Sequence, residues 1–133
     1  MKPNAVAKVV AAGAMLVTLA GCAVNERSLQ ERGLKPLSAE QLKPMFATSR
    51  TLLWQGNGNT GTAEFRPDGS ASVSSGPRFT DSGSYRIVDD GWCTQYKIIR
   101  KGQETCFRIY ETGANAYTAV NDQGVIDSTF SLR

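Results

Sequence analysis

The sequence contains few residue types that could carry out acid–base or nucleophilic chemistry. It has no histidine, so the usual general base and the Ser-His and Cys-His nucleophile pairs are missing. Adjacent carboxylates can act as an acid and a base, as they do in glycosidases, and Asp89 with Asp90 forms the obvious pair. Both directly precede Gly91, and Asp68 lies in a similar turn sequence, so these aspartates are predicted to be exposed turn formers. The residues favour a non-catalytic protein that needs no cofactor.

Cys22 is the reactive residue whose surroundings are most informative. It ends the stretch Leu19-Ala20-Gly21-Cys22, which follows an apolar run from Val9 and a start that carries Lys2 and Lys8. A charged start, a short apolar run and small residues before a cut indicate a secretory signal. The run is too short for a permanent membrane span, which needs about 20 apolar residues.

The stretch that ends at Cys22 resembles the lipobox of bacterial lipoproteins. The resemblance implies that residues 1–21 are a cleaved signal peptide and that Cys22 is acylated, with palmitate among the acyl groups. It also implies an outer-membrane location, since Ala23 replaces the aspartate associated with inner-membrane retention. The membrane is then the partner reached through the lipid anchor. An ordinary signal peptide with a chance cysteine is the alternative.

The charge of the chain does not indicate a nucleic-acid partner. Fifteen basic and twelve acidic residues give a net charge of +3, but Lys2 and Lys8 fall in the predicted signal peptide. The rest of the chain is nearly neutral and lacks the basic stripe that nucleic-acid binding requires.

With Cys22 assigned to lipid, Cys93 and Cys106 remain as an even pair. In an oxidising envelope compartment such a pair predicts a disulfide. Two reduced cysteines or a zinc site are the alternatives, and a zinc site would need carboxylates to complete its ligands.

Three segments are predicted to position these residues. Residues 1–21 are the signal peptide, 22–36 the lipidated N-terminus and a tether with a loose helical turn near Leu29, and 37–133 a single domain. The domain opens with a short helix, because Ser38 and Gln41 have the spacing of a capping box, Leu37 can pack on Leu42, and Pro44 stops the helix early.

From Arg50 onward, turn residues separate eight short segments rich in β-branched and aromatic residues. The fold class is therefore all-β: a small antiparallel up-and-down β-barrel with one N-terminal helix and one disulfide. The predicted strands are 50–55, 60–66, 70–75, 82–88, 92–99, 104–110, 115–120 and 125–132. Alternation predicts these inward side chains: Leu52, Trp54, Ala63, Phe65, Ala71, Val73, Tyr85, Ile87, Trp92, Tyr96, Ile98, Phe107, Ile109, Ile126, Phe130 and Leu132. Tyr117 is ambiguous, and both cysteines have outward parity on consecutive strands.

The stretches Phe65–Gly69 and Gly83–Ile87, together with Cys93 and Cys106, are similar to small secreted β-domains of bacterial envelopes. They also resemble, faintly, the lipid-anchored or periplasmic inhibitors of secreted proteases, which are eight-stranded barrels with one disulfide. This resemblance implies an architecture and no functional residue.

The sequence thus predicts an outer-membrane lipoprotein with a binding or interaction role, the alternative being a protease inhibitor of the barrel type. Loops should alternate between two ends. Loops 56–59, 76–81, 100–103 and 121–124 should share one end, the open end, and loops 67–69, 89–91 and 111–114 the other, acidic end. The tether and the helix belong to the acidic end, so the open end should face away from the membrane. A protein or small-molecule partner would bind at the open end, where a long loop, residues 76–81, is expected to present its contact residues. These contact residues are Arg78, Phe79, Arg100 and Lys101.

Overall fold

The structure is a computed structural model that describes residues 25–133. The predicted signal peptide and Cys22 lie outside the described residues. Eight antiparallel strands form a closed barrel in which each strand pairs with its neighbours along the chain and β8 returns to β1. The strands are β1 Arg50–Gly56, β2 Asn59–Phe65, β3 Ser70–Ser75, β4 Phe79–Val88, β5 Gly91–Tyr96, β6 Thr105–Gly113, β7 Ala116–Val120 and β8 Ile126–Leu132. The predicted fold class is confirmed, because short turns and alternating side chains leave antiparallel hairpins as the local solution.

The helix at the start of the predicted domain closes one end of the barrel. Residues 25–133 form two short α-helices, α1 over Glu26–Glu31 and α2 over Ala39–Leu42, and a 3-10 turn follows α2 over Lys43–Phe46. The capping box is present: the Ser38 N–H donates to Gln41 Oε1 at 2.9 Å, and the Gln41 N–H donates to Ser38 Oγ at 3.2 Å. Phe46 is buried among interior aromatic rings, which makes this segment the plug of the barrel.

The first described helix lies within the expected tether, but it is packed on the barrel. Helix α1, Glu26–Glu31, begins at an Asn25 cap and lies on the outer wall of the barrel. Its Leu29 is fully buried with the outward-pointing Tyr110 and Val120, in a second small core. The chain then reaches the plug end, where Leu37 N–H donates to Ile109 O at 2.7 Å. From Asn25 onward the predicted tether is therefore part of the packed domain. No helix within residues 25–133 is long and apolar enough to span a membrane.

Two inward predictions were wrong, each at an irregularity of a strand. Ile98 is 63% exposed, because β5 ends at Tyr96 and the chain turns into a 3-10 segment, Ile99–Gly102, whose first residue packs on the core instead. Ile126 joins the outer core with α1. A register shift pairs Ala119 with Ser128 and Val120 with Ile126, which leaves Asp127 as an extra residue in β8. Such a bulge reverses the side-chain parity beyond it.

Tyr117, whose orientation the sequence left ambiguous, faces the interior, where its ring stacks on Phe130 at 5.1 Å between centroids.

The predicted disulfide is confirmed: Cys93 and Cys106 are directly opposite each other on β5 and β6 and are bonded through their sulfur atoms. Cys93 is buried and Cys106 is exposed, so the bond joins the hairpin at the barrel surface.

Candidate functional site

The barrel interior contains a cavity of about 220 Å³ that opens at the end opposite the plug. We call this the open end; it carries the turns 57–58, 76–78, 97–104 and 121–125. The cavity is apolar in its depth and polar at its mouth. Its inner walls are formed by Leu52, Trp54, Ala63, Phe65, Val73, Trp92, Tyr96, Phe107, Ala119 and Phe130, together with the buried Thr94, and its mouth by Gly56, Asn57, Asn59, Ile99, Arg100, Asp127 and Ser128.

The plug packs against the residues that form the closed inner end, or floor, of the cavity. Phe46 contacts Phe65 and Trp92, with ring centroids 5.3 and 5.4 Å apart, and the Trp92 contact is edge-to-face. Both partners of Phe46 line the cavity from their other sides. Aromatic contacts of this geometry add about 0.5–1.5 kcal/mol each beyond the burial of their surface. The floor is thus held rigidly by a ring cluster, while the opposite end is left unfilled.

Trp54 forms one wall of the cavity and depends on a glycine across the sheet. It pairs with Gly61 on β2, and a Cβ added there would lie 2.0 Å from the backbone oxygen of Ser74 and 2.7 Å from the indole Cζ2, both closer than real contacts allow. Gly61 therefore makes room for the indole. The indole Nε1 is buried and is the single such side-chain atom in the described chain that lacks a hydrogen-bond partner.

Arg100 lies at the mouth on a strained turn. Arg100 and Lys101 both have positive φ angles, 54° and 56°, and Gly102 continues the left-handed run. Such backbone costs about 1–3 kcal/mol per non-glycine residue and concentrates at functional sites. The Arg100 guanidinium lies 5.1 Å from the centroid of the Phe107 ring, and its Nη2 donates to Asp127 Oδ1 at 3.0 Å. The side chain thereby crosses from β5 towards β8 over the cavity.

Asp81 fixes this turn to the barrel. Its Oδ2 accepts from the backbone N–H groups of Ile98 and Ile99, both at 2.8 Å, and its Oδ1 accepts from the Ser82 N–H at 2.8 Å. Burial alone raises the pKa of the Asp81 carboxyl, but these N–H donors outweigh it and hold the pKa below its ordinary value. The carboxylate form therefore anchors the segment that carries Arg100.

Of the four residues predicted as partner contacts, only Arg100 lines the cavity, at its mouth. Lys101 is exposed beside it. Arg78 is exposed in the turn after β3, at the same end. Phe79 is half-buried as the first residue of β4, paired with Ser75, so the predicted long loop over 76–81 was wrong and only three residues form the turn. The longest connection between strands at this end is 97–104, because β5 is short.

Sequence reasoning missed the structural roles of Asp81 and Asp127. Asp81 has the inward parity of Val73, its partner on β3, yet it is an acid in an otherwise apolar row. An acidic residue at an inward position was the available signal. Asp127 turns towards the mouth because of the bulge in β8. No local sequence pattern indicated this bulge.

Cys93, Glu104 and Cys106 are the one grouping of three metal-ligand residue types found within residues 25–133. Their groups are already engaged: the sulfur atoms are bonded to each other, and the Glu104 carboxylate accepts from Arg86 at 2.9 and 3.0 Å. Zinc needs free thiolates, so the two cysteines act as a structural disulfide and Glu104 as the partner of Arg86 in an ion pair.

Asp89 and Asp90 are exposed in the turn between β4 and β5, at the plug end and away from the cavity.

The geometry is that of a small binding site: mainly apolar walls and a few polar groups at the mouth. Comparison of the chain with protein-family models, curated proteins and solved structures found no match.

Proposed function

We propose that the protein is an outer-membrane lipoprotein, anchored through Cys22, whose barrel binds a small apolar molecule without catalysing a reaction. The cavity is the observation that carries the binding role. An engineered cavity of about 150 Å³ with apolar walls stays dry and binds benzene, so a volume of about 220 Å³ suits a ligand of one ring with a short substituent.

The polar groups of the cavity support binding rather than catalysis. Asp127 is the single carboxylate among the lining residues, and it is paired with Arg100. Burial raises the pKa of Tyr96 to about 12, with the charge of Arg100 opposing the rise. A neutral phenol and a paired carboxylate are poor proton-transfer groups at neutral pH. They can orient a ligand through hydrogen bonds.

A protease-inhibitor role would require an exposed N-terminal segment or loop that enters an active-site cleft. In the described chain, the N-terminal segment from Asn25 is packed on the barrel wall, and the longest open-end loop is tied down by Asp81. These contacts favour the ligand-binding proposal over the inhibitor.

Calorimetric titration of the purified protein with toluene and acetophenone tests the binding role. Both probes should bind, because each has one ring and a short substituent, which suits the volume of the cavity. Ala119→Leu fills the cavity and should abolish binding of both.

Ala116→Leu is the matched control, because Ala116 lies on the same strand β7 but does not line the cavity. Equal binding by both variants, or no binding by the unsubstituted protein, would overturn the proposal.

Metabolic labelling with palmitate tests the anchor. Cys22→Ser should lose the label and accumulate as an unprocessed precursor. The double variant Cys93→Ser, Cys106→Ser should keep the label, since those sulfur atoms are bonded to each other. Labelled Cys22→Ser protein would contradict the lipoprotein assignment.

A further inference from the structure

The position of Asn25 determines which end of the barrel is nearest to the proposed lipid anchor. Asn25 forms a bridge with Val125 in the turn between β7 and β8, and the Glu26 N–H donates to Gly124 O at 3.0 Å. Cys22 precedes Asn25 by three residues, and three residues span at most about 10 Å. The anchor therefore attaches beside the open end, whereas the sequence predicted a tether leaving from the plug end.

This attachment is rigid, because α1 is bound to the barrel wall. Glu26 accepts from Arg108 and from the Tyr110 hydroxyl, and Leu29 is fully buried a turn later. A flexible tether would let the barrel tumble above the membrane. A docked helix instead holds the open end next to the lipid.

The open end also presents apolar side chains to solvent. Three large hydrophobic residues are exposed within residues 25–133, and two of them, Ile98 at 63% and Val125 at 51%, lie at this end. They belong to different turns, 97–104 and 121–125. Scattered exposed hydrophobics are ordinary on a protein surface, but two beside the anchor are placed to enter the interfacial layer of a bilayer.

The charges around these residues complement an anionic surface. Arg78, Lys97 and Lys101 are exposed at the open end. Asp122 and Glu104 are exposed acids there, Glu104 is paired with Arg86, Asp127 is paired with Arg100, and Asp81 is buried. The plug end instead exposes Asp68, Asp89 and Asp90 in its turns, together with Lys43 on the plug. Basic side chains next to apolar tips are typical of proteins that rest on anionic lipid.

We propose that the open end is a membrane-docking surface, with Ile98 and Val125 in the interfacial layer and Arg78, Lys97 and Lys101 on anionic headgroups. The proposal rests on the lipid anchor of the proposed function. It also defines the ligand class, because a cavity whose mouth meets the bilayer receives its ligand from the lipid phase. The ligand is then a molecule that partitions into membranes rather than a water-soluble metabolite.

Depth-dependent fluorescence quenching of the full lipoprotein in phosphatidylglycerol-containing vesicles tests the orientation. The variants Ile98→Cys and Glu40→Cys place an NBD fluorophore at exposed positions of the open end and of α2 at the plug end, respectively. Brominated lipids should quench the label at position 98 several-fold more than the label at position 40. Equal quenching, or stronger quenching at position 40, would overturn the proposal.

Charge reversal tests the headgroup contacts. Lys97→Glu with Lys101→Glu should reduce quenching at position 98 while the protein still floats with vesicles, and Lys43→Glu at the plug end is the control. Unchanged quenching in the double variant would contradict the electrostatic part. Protein that fails to float would refute the lipid anchor and this surface together, whereas flotation without quenching at position 98 would refute the surface alone.

Discussion

Arg108 and Glu26 lie 82 residues apart in the sequence and form a two-pronged ion pair, with Arg108 Nε and Nη2 each 2.6 Å from a carboxylate oxygen of Glu26. The Tyr110 hydroxyl donates to the same carboxylate at 2.6 Å. The hydrogen bond from Arg108 is the main reason that the pKa of Glu26 lies below its ordinary value. Burial raises this pKa, and the hydrogen bond from Tyr110 lowers it further. This cluster joins α1 to β6 and thereby orients the whole N-terminal segment.

Glu26→Gln should release α1 from the wall. A hydrogen bond that involves a charged group contributes about 1.5–3 kcal/mol, so urea denaturation should show a loss of that size. Amide exchange of residues 26–31 should accelerate with it. Glu31→Gln is the matched control, because Glu31 is an exposed glutamate of the same helix. Equal effects of the two substitutions would contradict the proposed role of the cluster.

Acidification should loosen the turn over the cavity before it unfolds the barrel. The pKa of Asp81 is lowered in the folded state, so its contribution to stability is complete above the ordinary aspartate pKa and is lost as the pH falls through the lowered value. Amide exchange at Ile98 and Ile99, followed from pH 6 downward, should show this loss as faster exchange than the pH change alone produces. Asp81→Asn should show the faster exchange already at pH 6, whereas the exposed Asp122→Asn should not.

The strands could be predicted from the sequence because their causes are local. Turn residues end each segment, and alternation selects the inward face, so register errors arose only where a chain irregularity intervened. Ile126 was misplaced by the bulge at Asp127, and Ile98 by the early end of β5. Both irregularities depend on contacts with distant parts of the chain.

The cavity and α1 could not be predicted in the same way. Whether the inward side chains fill a barrel depends on their packed volumes, and the sequence pattern shows only which positions are apolar. The packing of α1 on the barrel depends on an apolar patch on the outer wall, which is formed by Tyr110, Val120 and Ile126 from three strands. Arg100 was identified from its charge and its loop, but its position over Phe107 follows from the left-handed turn.

Loss of the disulfide should destabilise the barrel without opening the cavity. Cys93 and Cys106 are separated by 13 residues, and closing a loop of this size contributes about 3 kcal/mol in the loop-entropy model. Thermal unfolding of the Cys93→Ala, Cys106→Ala variant should therefore begin at a clearly lower temperature. Toluene binding below that temperature should be retained, since neither cysteine lines the cavity. An unchanged unfolding temperature would contradict this estimate.

Two of the four tyrosines should ionise later than the others. Burial raises the pKa of all four phenols, to about 12 for Tyr96 and Tyr110, and at Tyr110 the hydrogen bond to Glu26 adds to the rise. Folding stability should accordingly fall as the pH rises from about 10, where an unfolded tyrosine ionises. Ultraviolet titration of the phenols measures the steps, and Tyr110→Phe should remove one late step. Four phenols that titrate together near their ordinary pKa would contradict the burial of these two.

The mouth of the cavity should be controlled by Arg100 and not by its neighbour. The ion pair with Asp127 is partly exposed, and such pairs contribute about 1 kcal/mol or less, so Arg100→Ala should change the unfolding temperature little. Removal of the side chain, however, takes away the group that crosses the mouth above Phe107. Exchange of bound and free toluene, measured by NMR, should become several-fold faster.

Lys101→Ala is the matched control for the mouth. Lys101 has nearly the same positive φ angle, 56° against 54°, so both substitutions impose a similar backbone cost. Lys101 does not line the cavity, and its substitution should leave the exchange rate unchanged. If both variants accelerated exchange equally, the turn and not the guanidinium would control entry; if neither did, Arg100 would have no part in it.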